Sequence, residues 1–530
     1  MRHFFKLIGF ADRRGLAVLV VGLFTFFSSC LLFQLTQPRP SIQDEFSYLL
    51  ASDTFAHGRL SNPALADKSA FESFHILVEP TYASKYPPAQ GAAMALGQVA
   101  FAKPIVGVWL SLSLACAAIC WMLQAWIPPR WAFLMAMICS IKLTFFGRSF
   151  EFCDPVGYWS QSYFGGAVAA LGGALVYGAI RRLLSRQISF RNSAIFFVGI
   201  SILIFSRPAE GLLCSVPALI MLAKLFYDQI IGKGNFKQVL LPGLLALFFT
   251  AAVQLTVNFA VTGSLFTMPY QLHHSKYSSM PVLLFQPLSP AIKHSNPQLA
   301  KFDQDNIDTY NKEHTFSGFW KYWWTHKAQP FWRFYLDVYL SIPLLFLPLA
   351  VKRRWMLLAY SALLLELLFL SAETFFSPHY AAASSCLLYL TVAQCMRGMP
   401  QFKVNRLRLG KILLSISLLG FALASLCGLF TERRVDLNSW YYARANIMNE
   451  MSKTKDKHLV FVRYGPNHFY HHEWVYNEAD PDSAKVIWVH EGDAQQNQAV
   501  VHRYKGRQLW LLIEDAPAGV NLRPILQKLN

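Results

Sequence analysis

Apolar residues along this chain gather into long runs, the longer ones about 20 residues, parted by short polar stretches. They fall at Leu16–Leu35, Ile105–Trp126, Trp131–Phe146, Phe164–Ile180, Ser193–Phe205, Gly211–Tyr227, Val239–Val261, Val338–Val351, Trp355–Leu370, Tyr380–Met396 and Ile412–Phe430. A run of about 20 residues crosses a hydrocarbon core of about 30 Å, and in lipid a single segment satisfies its own backbone only as a helix. The pattern predicts about eleven spanning helices, hence a mainly α, polytopic bundle. Ser193–Phe205 and Gly211–Tyr227, split by Arg207-Pro208, read as a hairpin that reaches the surface only briefly.

Three polar segments carry patterns of their own. In the loop 36–103, Ser41 can cap a short helix whose apolar residues Phe46, Leu49, Leu50 and Phe55 recur at helical spacing. That helix is expected to lie on the membrane surface. A second, Ala89–Ala102, opens directly after Pro87-Pro88 and is expected in the interface. The loop 262–337 is rich in aromatic residues, His and Pro. Its Trp320, Trp323, Trp324, Phe331 and Trp332 read as an interfacial aromatic belt, with sugar stacking as the alternative. From 431 to 530 the chain changes character. Apolar β-rich runs at His458–Tyr464, Lys485–His490 and Gln508–Glu514 alternate with helical stretches near Ser439–Lys453 and Gln495–Tyr504. Such alternation predicts a small α/β domain with a parallel sheet of at least three strands. The chain thus divides into a bundle module, 1–430, and a tail domain, 431–530.

With 54% hydrophobic and 15% charged residues, the composition excludes an ordinary soluble protein. A net charge of +18 could point to nucleic acid, but its placement points elsewhere. Basic residues collect in alternate short loops: Arg2, Lys6, Arg13 and Arg14; Arg130; Arg181, Arg182, Arg186 and Arg191; Lys224, Lys233 and Lys237; Lys352, Arg353 and Arg354; Arg397, Lys403, Arg406, Arg408 and Lys411. This is the positive-inside pattern. It sets the N-terminus in the cytoplasm and, after eleven spans, the tail outside. The first run lacks a small-residue cleavage site and is expected to stay as an anchor. None of the nine cysteines has metal-ligand spacing. His273-His274 with His294, and His468, His471, His472 with Glu473, also lack a liganding period. No metal or cofactor is expected, although two close carboxylates can hold a divalent ion.

Candidate chemistry collects outside the runs. Asp44-Glu45 places two carboxylates beside a bilayer, which suits acid/base work; acids in a first helical turn also serve simply as caps. Lys85, next to Tyr86 in the same loop, is a compact hydrogen-bond donor suited to a phosphate, or an interfacial snorkel. Arg59 and His57 add polar partners, with a solvated loop as the alternative. Glu151 and Asp154 form a second acidic site, followed by aromatic and amide groups at 158–163 that suit carbohydrate. Arg207 with Glu210 is either a phosphate binder or a buried pair. His379, beside Tyr380 and near Glu373, can orient a donor phosphate or cap its helix. These groups come from five outer segments and share one membrane face.

The constellation resembles the polytopic GT-C glycosyltransferases, the superfamily of protein mannosyltransferases and lipid A aminoarabinose transferases. It does so through Asp44-Glu45, Lys85-Tyr86-Pro87-Pro88, the acids of the second outer loop, Arg207-Pro208 and Pro378-His379-Tyr380. The resemblance covers most of Leu16–Phe430 as topology; the tail lies outside it. It implies a sugar delivered on a polyprenyl phosphate and transferred, outside the cytoplasm, to a lipid, glycan or protein acceptor in a bacterial inner membrane. Asp44 would then be the general base or position the acceptor, with Glu45 supporting, and Asp154 or Glu151 would be a second acid. Lys85 and Arg207 would bind the donor phosphate, with Tyr86, Arg59, His379 and Tyr380 completing the substrate site. The alternative is a transporter or flippase of lipid-linked carbohydrate. Transporters keep charges near the midplane and often show related halves. Here Lys142 and Glu366 are the chief charges inside predicted runs, and no repeat is evident.

Overall fold

The structure, a computed structural model, describes residues 8–146, 157–185, 187–232, 234–351, 354–431, 439–517 and 524–529. Each apolar run falls on helix. Among the described residues, six helices are long and apolar enough to cross a membrane: Arg14–Thr36, Pro104–Trp126, Gly166–Leu184, Pro208–Ile231, Lys237–Thr262 and Leu409–Gly428. Shorter apolar helices, Phe190–Ser206, Asp337–Phe346 and Leu357–Ala372, accompany them. At 1.5 Å per residue, a 23-residue helix rises about 35 Å and a 16-residue one only about 24 Å, so length sets these groups apart. The run at 338–351 is broken: Asp337–Ser341 passes into a 3-10 turn, Ile342–Phe346, before Leu347–Val351. Pro343 lies in that turn, where its ring removes an amide donor and crowds the preceding turn.

The two ends of the bundle differ in chemistry. Gly166–Leu184 starts just after Phe164, which lines a cavity, and ends on Arg181 and Arg182. Around that second end, Arg130 pairs with Asp12 at 2.6 Å and Arg182 donates to the Trp121 carbonyl at 2.8 Å. Arg181 lies 5.7 Å from the rings of both Trp126 and Trp355. The basic residues therefore sit a helix length away from the cavity.

Loop 36–103 is a folded layer rather than a surface strap. It holds the helix Gln43–Ala56, three short strands and the helix Pro88–Phe101. β1 (Asn62–Pro63) and β2 (Ile76–Leu77) pair antiparallel with β3 (Thr81–Ser84). The helix Pro88–Phe101 packs on Pro104–Trp126 so closely that Gly107 has no room for a Cβ against the Ala93 carbonyl. Its Leu96, Val99 and Phe101 stay exposed, as on an interfacial helix.

In the tail, β4 (His458–Tyr464) lies between β5 (Val486–His490) and β6 (Gln508–Glu514), parallel to both, and β7 (Ile525–Lys528) adds antiparallel to β6. Helices Trp440–Lys453 and Ala494–Arg503 complete it. This unit and loop 36–103 share one hydrophobic core, in which Phe46, Leu50, Phe71 and Tyr82 meet Trp440, Trp474, Tyr476 and Trp488. Phe46 stacks on Tyr476 at 4.4 Å with rings 2° apart, and the Arg444 guanidinium lies 4.9 Å from the Phe46 ring. Asp53 accepts from the Ala479 amide at 2.8 Å. The Gln43–Ala56 helix thus turns Phe46 and Leu50 into protein rather than toward a membrane surface. The tail offers them a closer-packed apolar partner than a wet interface does.

Candidate active site

A cavity of about 570 Å³ lies at the non-basic end of the bundle, a size typical of small-molecule sites. Its wall is drawn from loop 36–103, the ends of several helices, loop 262–337 and the tail. Asp44, Lys85, Tyr86, Arg207, His379 and Tyr380 all line it. Arg59 and Glu45 do not. Glu151 and Asp154 lie outside the described residues.

The adjacent acids have separate tasks. The Gln43–Ala56 helix has Ile42, not Ser41, at its N-cap. The Glu45 carboxylate reaches back to accept from the backbone N–H groups of Ser41 at 2.8 Å and Ile42 at 3.3 Å, the acid half of a capping box. Its other oxygen accepts from the Tyr163 amide at 3.0 Å. Burial pushes the Glu45 carboxyl up to about 7, against the opposing pull of those amides. Asp44, one residue earlier and about 100° around the helix, faces the cavity instead.

β3 and the two prolines after it bring Lys85 and Tyr86 to Asp44. The Ser84 and Ser47 hydroxyls bond at 2.7 Å, and the Tyr86 ring stacks on Tyr48 at 4.4 Å. The Tyr86 hydroxyl donates to Asp44 Oδ1. His75 Nε2 lies 3.6 Å from Asp44 Oδ2, and Lys85 Nζ donates to His75 Nδ1 at 2.8 Å. Burial lowers Lys85 to about 8; Asp44 opposes this shift and Arg207 adds to it. Burial, with the charge of Lys85, takes His75 well below its usual value.

Arg207 occupies the break between Phe190–Ser206 and Pro208–Ile231, where Pro208 starts a new helix. It donates to Glu210 Oε1 at 3.1 Å, and its guanidinium lies 4.0 Å from the Tyr380 ring centre. His379 is buried, with Nδ1 at 2.6 Å from the Tyr158 hydroxyl and its ring 5.0 Å from Phe164. Glu373 stands nearby, its carboxyl held well above the usual range by burial and then by Glu210.

The tail forms the far wall. Phe469, Tyr470, His471, His472 and Trp440 line the cavity, and His471 Nδ1 lies 2.9 Å from the Gln43 amide nitrogen. Phe302 packs against Tyr470 at 5.7 Å and His471 at 6.0 Å. Burial lowers His471 to about 4, so this wall carries aromatic and uncharged polar groups at neutral pH. The belt tryptophans Trp320 and Trp324 are exposed and stand outside the cavity. Among the described residues, no three His, Cys, Asp or Glu gather closely enough to hold a metal ion.

No family profile matches this sequence, nor does any curated protein. Among solved structures, the archaeal oligosaccharyltransferase AglB from Archaeoglobus fulgidus, in complex with an inhibitory peptide and a dolichol-phosphate, matches at 10% identity and TM-score 0.44, over 94% of this chain and 69% of that one. ArnT from Cupriavidus metallidurans matches in its apo state at 12% identity and TM-score 0.47, over 94% of this chain and 92% of that one. The same protein bound to undecaprenyl phosphate matches at 12% identity and TM-score 0.46, with the same coverage of each chain.

His75, Gln43 and Tyr270 also line the cavity, and none of them carries a local signal in the sequence. Each is a single residue that enters the cavity only because separate segments meet there. The tail histidines stand out in sequence as a cluster, but their cavity-facing position depends on the shared core.

Proposed function

We propose that this protein is a membrane glycosyltransferase that takes a sugar from a polyprenyl-phosphate donor and transfers it to an acceptor hydroxyl on the extracytoplasmic side. The observation that carries this reading is the juxtaposition, in one cavity, of the Asp44 carboxylate with the partly buried cations Lys85 and Arg207. The cavity reaches Ile204 and Val257 on membrane-embedded helices, which supports entry of a lipid-borne headgroup at that depth. In the proposed step Asp44 takes the proton of the acceptor hydroxyl as its oxygen bonds to the sugar C1. The C1–O bond to phosphate breaks, and the charge that develops on the departing phosphate is met by Lys85 and Arg207. The aromatic and amide-bearing tail wall suits an acceptor presented from above, since ring faces stack and Gln43 and His471 offer hydrogen bonds.

The test is transfer by full-length protein in nanodiscs, supplied with labelled undecaprenyl-phosphate sugars. Asp44→Asn is expected to lower kcat about 10²–10⁴-fold with folding retained, the range that general-base catalysis supplies. Full activity in that variant rejects the role of Asp44. If folded wild-type protein consumes no donor but moves it between leaflets, the protein is a flippase instead.

A further inference from the structure

His75 belongs to no motif, yet it stands between the two charged groups on which the proposed transfer depends. Its φ of 63° is left-handed, a conformation that a non-glycine residue keeps only where its surroundings over-determine it. They do so here: the His75 carbonyl accepts from Ser47 Oγ at 2.7 Å and from the Lys85 amide at 3.2 Å. The Lys85 ammonium has only donors, so its bond to Nδ1 leaves that nitrogen without hydrogen and puts the ring proton on Nε2. Nε2 stands 3.6 Å from Asp44 Oδ2, longer than a formed hydrogen bond but within reach of one on a small side-chain shift, while the Tyr86 hydroxyl holds Oδ1. The other titratable groups around the ring are His273 and Tyr86, each with ring centres 6.1 Å away, and His471 of the tail.

We propose that His75 is a positioning residue: its Nε2–H, fixed there by Lys85, orients the Asp44 carboxylate and ties the base to the charge state of the phosphate-binding lysine. While Lys85 is protonated, the neutral imidazole can only donate toward Asp44. Once Lys85 loses its proton, the tautomer is no longer fixed and the hold on Asp44 lapses. This deepens the transferase reading and rests on it.

Two measurements on the full-length protein in nanodiscs decide it. The first compares transfer from labelled undecaprenyl-phosphate sugars by wild type and His75→Asn, since Asn tolerates the left-handed backbone; should that variant not fold, His75→Gln replaces it. The expected result is a kcat lower by about 10²-fold with donor KM little changed. A merely structural role would reduce folded protein without splitting kcat from KM. Unchanged kcat overturns the proposal.

The second measurement needs no donor. The pH dependence of Lys85 acylation is read by peptide mass spectrometry in wild type and in His75→Gly, which keeps the left-handed backbone and leaves no side-chain acceptor. Loss of the acceptor should move it down by about one pH unit, and an unmoved curve breaks the Lys85–His75 link. If wild type consumes no donor, the transferase reading falls, while the lysine titration still decides whether His75 governs Lys85.

Discussion

At the scale of single residues, the neighbouring acids Asp44 and Glu45 show how one helical step parts a cavity-facing carboxylate from one bound to backbone amides. Both oxygens of Glu45 are taken by backbone amides, whereas Asp44 meets Tyr86 and His75 in the cavity. Glu45→Gln keeps one acceptor oxygen for these amides but sets its NH2 against the remaining backbone N–H, and is expected to retain transfer with some loss of stability. Glu45→Ala orphans them and should cost about 1–3 kcal/mol for each amide left buried, read as a lower melting temperature. Lys85 gives a second expectation. Its value of about 8 lies below that of a free lysine, so its charge is present below pH 8 and is lost as pH rises through it. Binding of undecaprenyl phosphate, followed by native mass spectrometry, should weaken across that point, and Lys85→Arg should carry binding to higher pH. The sequence showed Asp44, Lys85 and Arg207 because charged residues beside apolar runs are conspicuous. It did not show His75, whose role depends on a strand pairing of two residues that carries no periodicity.

At the scale of elements, loop 36–103 and the tail behave as one body. The Phe46–Tyr476 stack and the bond from the Ala479 amide to Asp53 join segments more than 400 positions apart. Phe46→Ala should therefore lower stability by about 3–5 kcal/mol, seen as a shift in thermal unfolding. Truncation after Thr431 should abolish transfer as well as expose the apolar face of the Gln43–Ala56 helix; retained activity in that truncation would show the shared core to be dispensable. The tail strands were legible in sequence, since β-rich runs between helical stretches have few other solutions, and they lie within a residue of their expected bounds. The placement of the loop helix was not legible. An apolar stripe fits a lipid surface and a protein core equally well, and only the partner decides between them.

At the scale of the whole molecule, the basic end and the cavity end of the bundle are a helix length apart, which fits the cytoplasmic and outer sides that the positive-inside pattern assigns. In intact cells, a membrane-impermeant thiol reagent is expected to label Ser483→Cys in the tail and to spare Gln187→Cys in a basic loop until the membrane is opened, both scored above the wild-type background. Equal labelling of the two would refute the orientation.

The sequence alone determined where helices form, which polar segments hold the candidate chemistry and which end is basic. Each of these is written in residues close together along the chain, as run length, periodicity or local charge. Only tertiary structure decided that Asp44 rather than Glu45 faces the cavity, that His75 joins Lys85 to it, and that the tail closes its far wall. Those outcomes come from contacts between segments tens to hundreds of residues apart, and the energy of burying apolar surface selects them without leaving any local pattern.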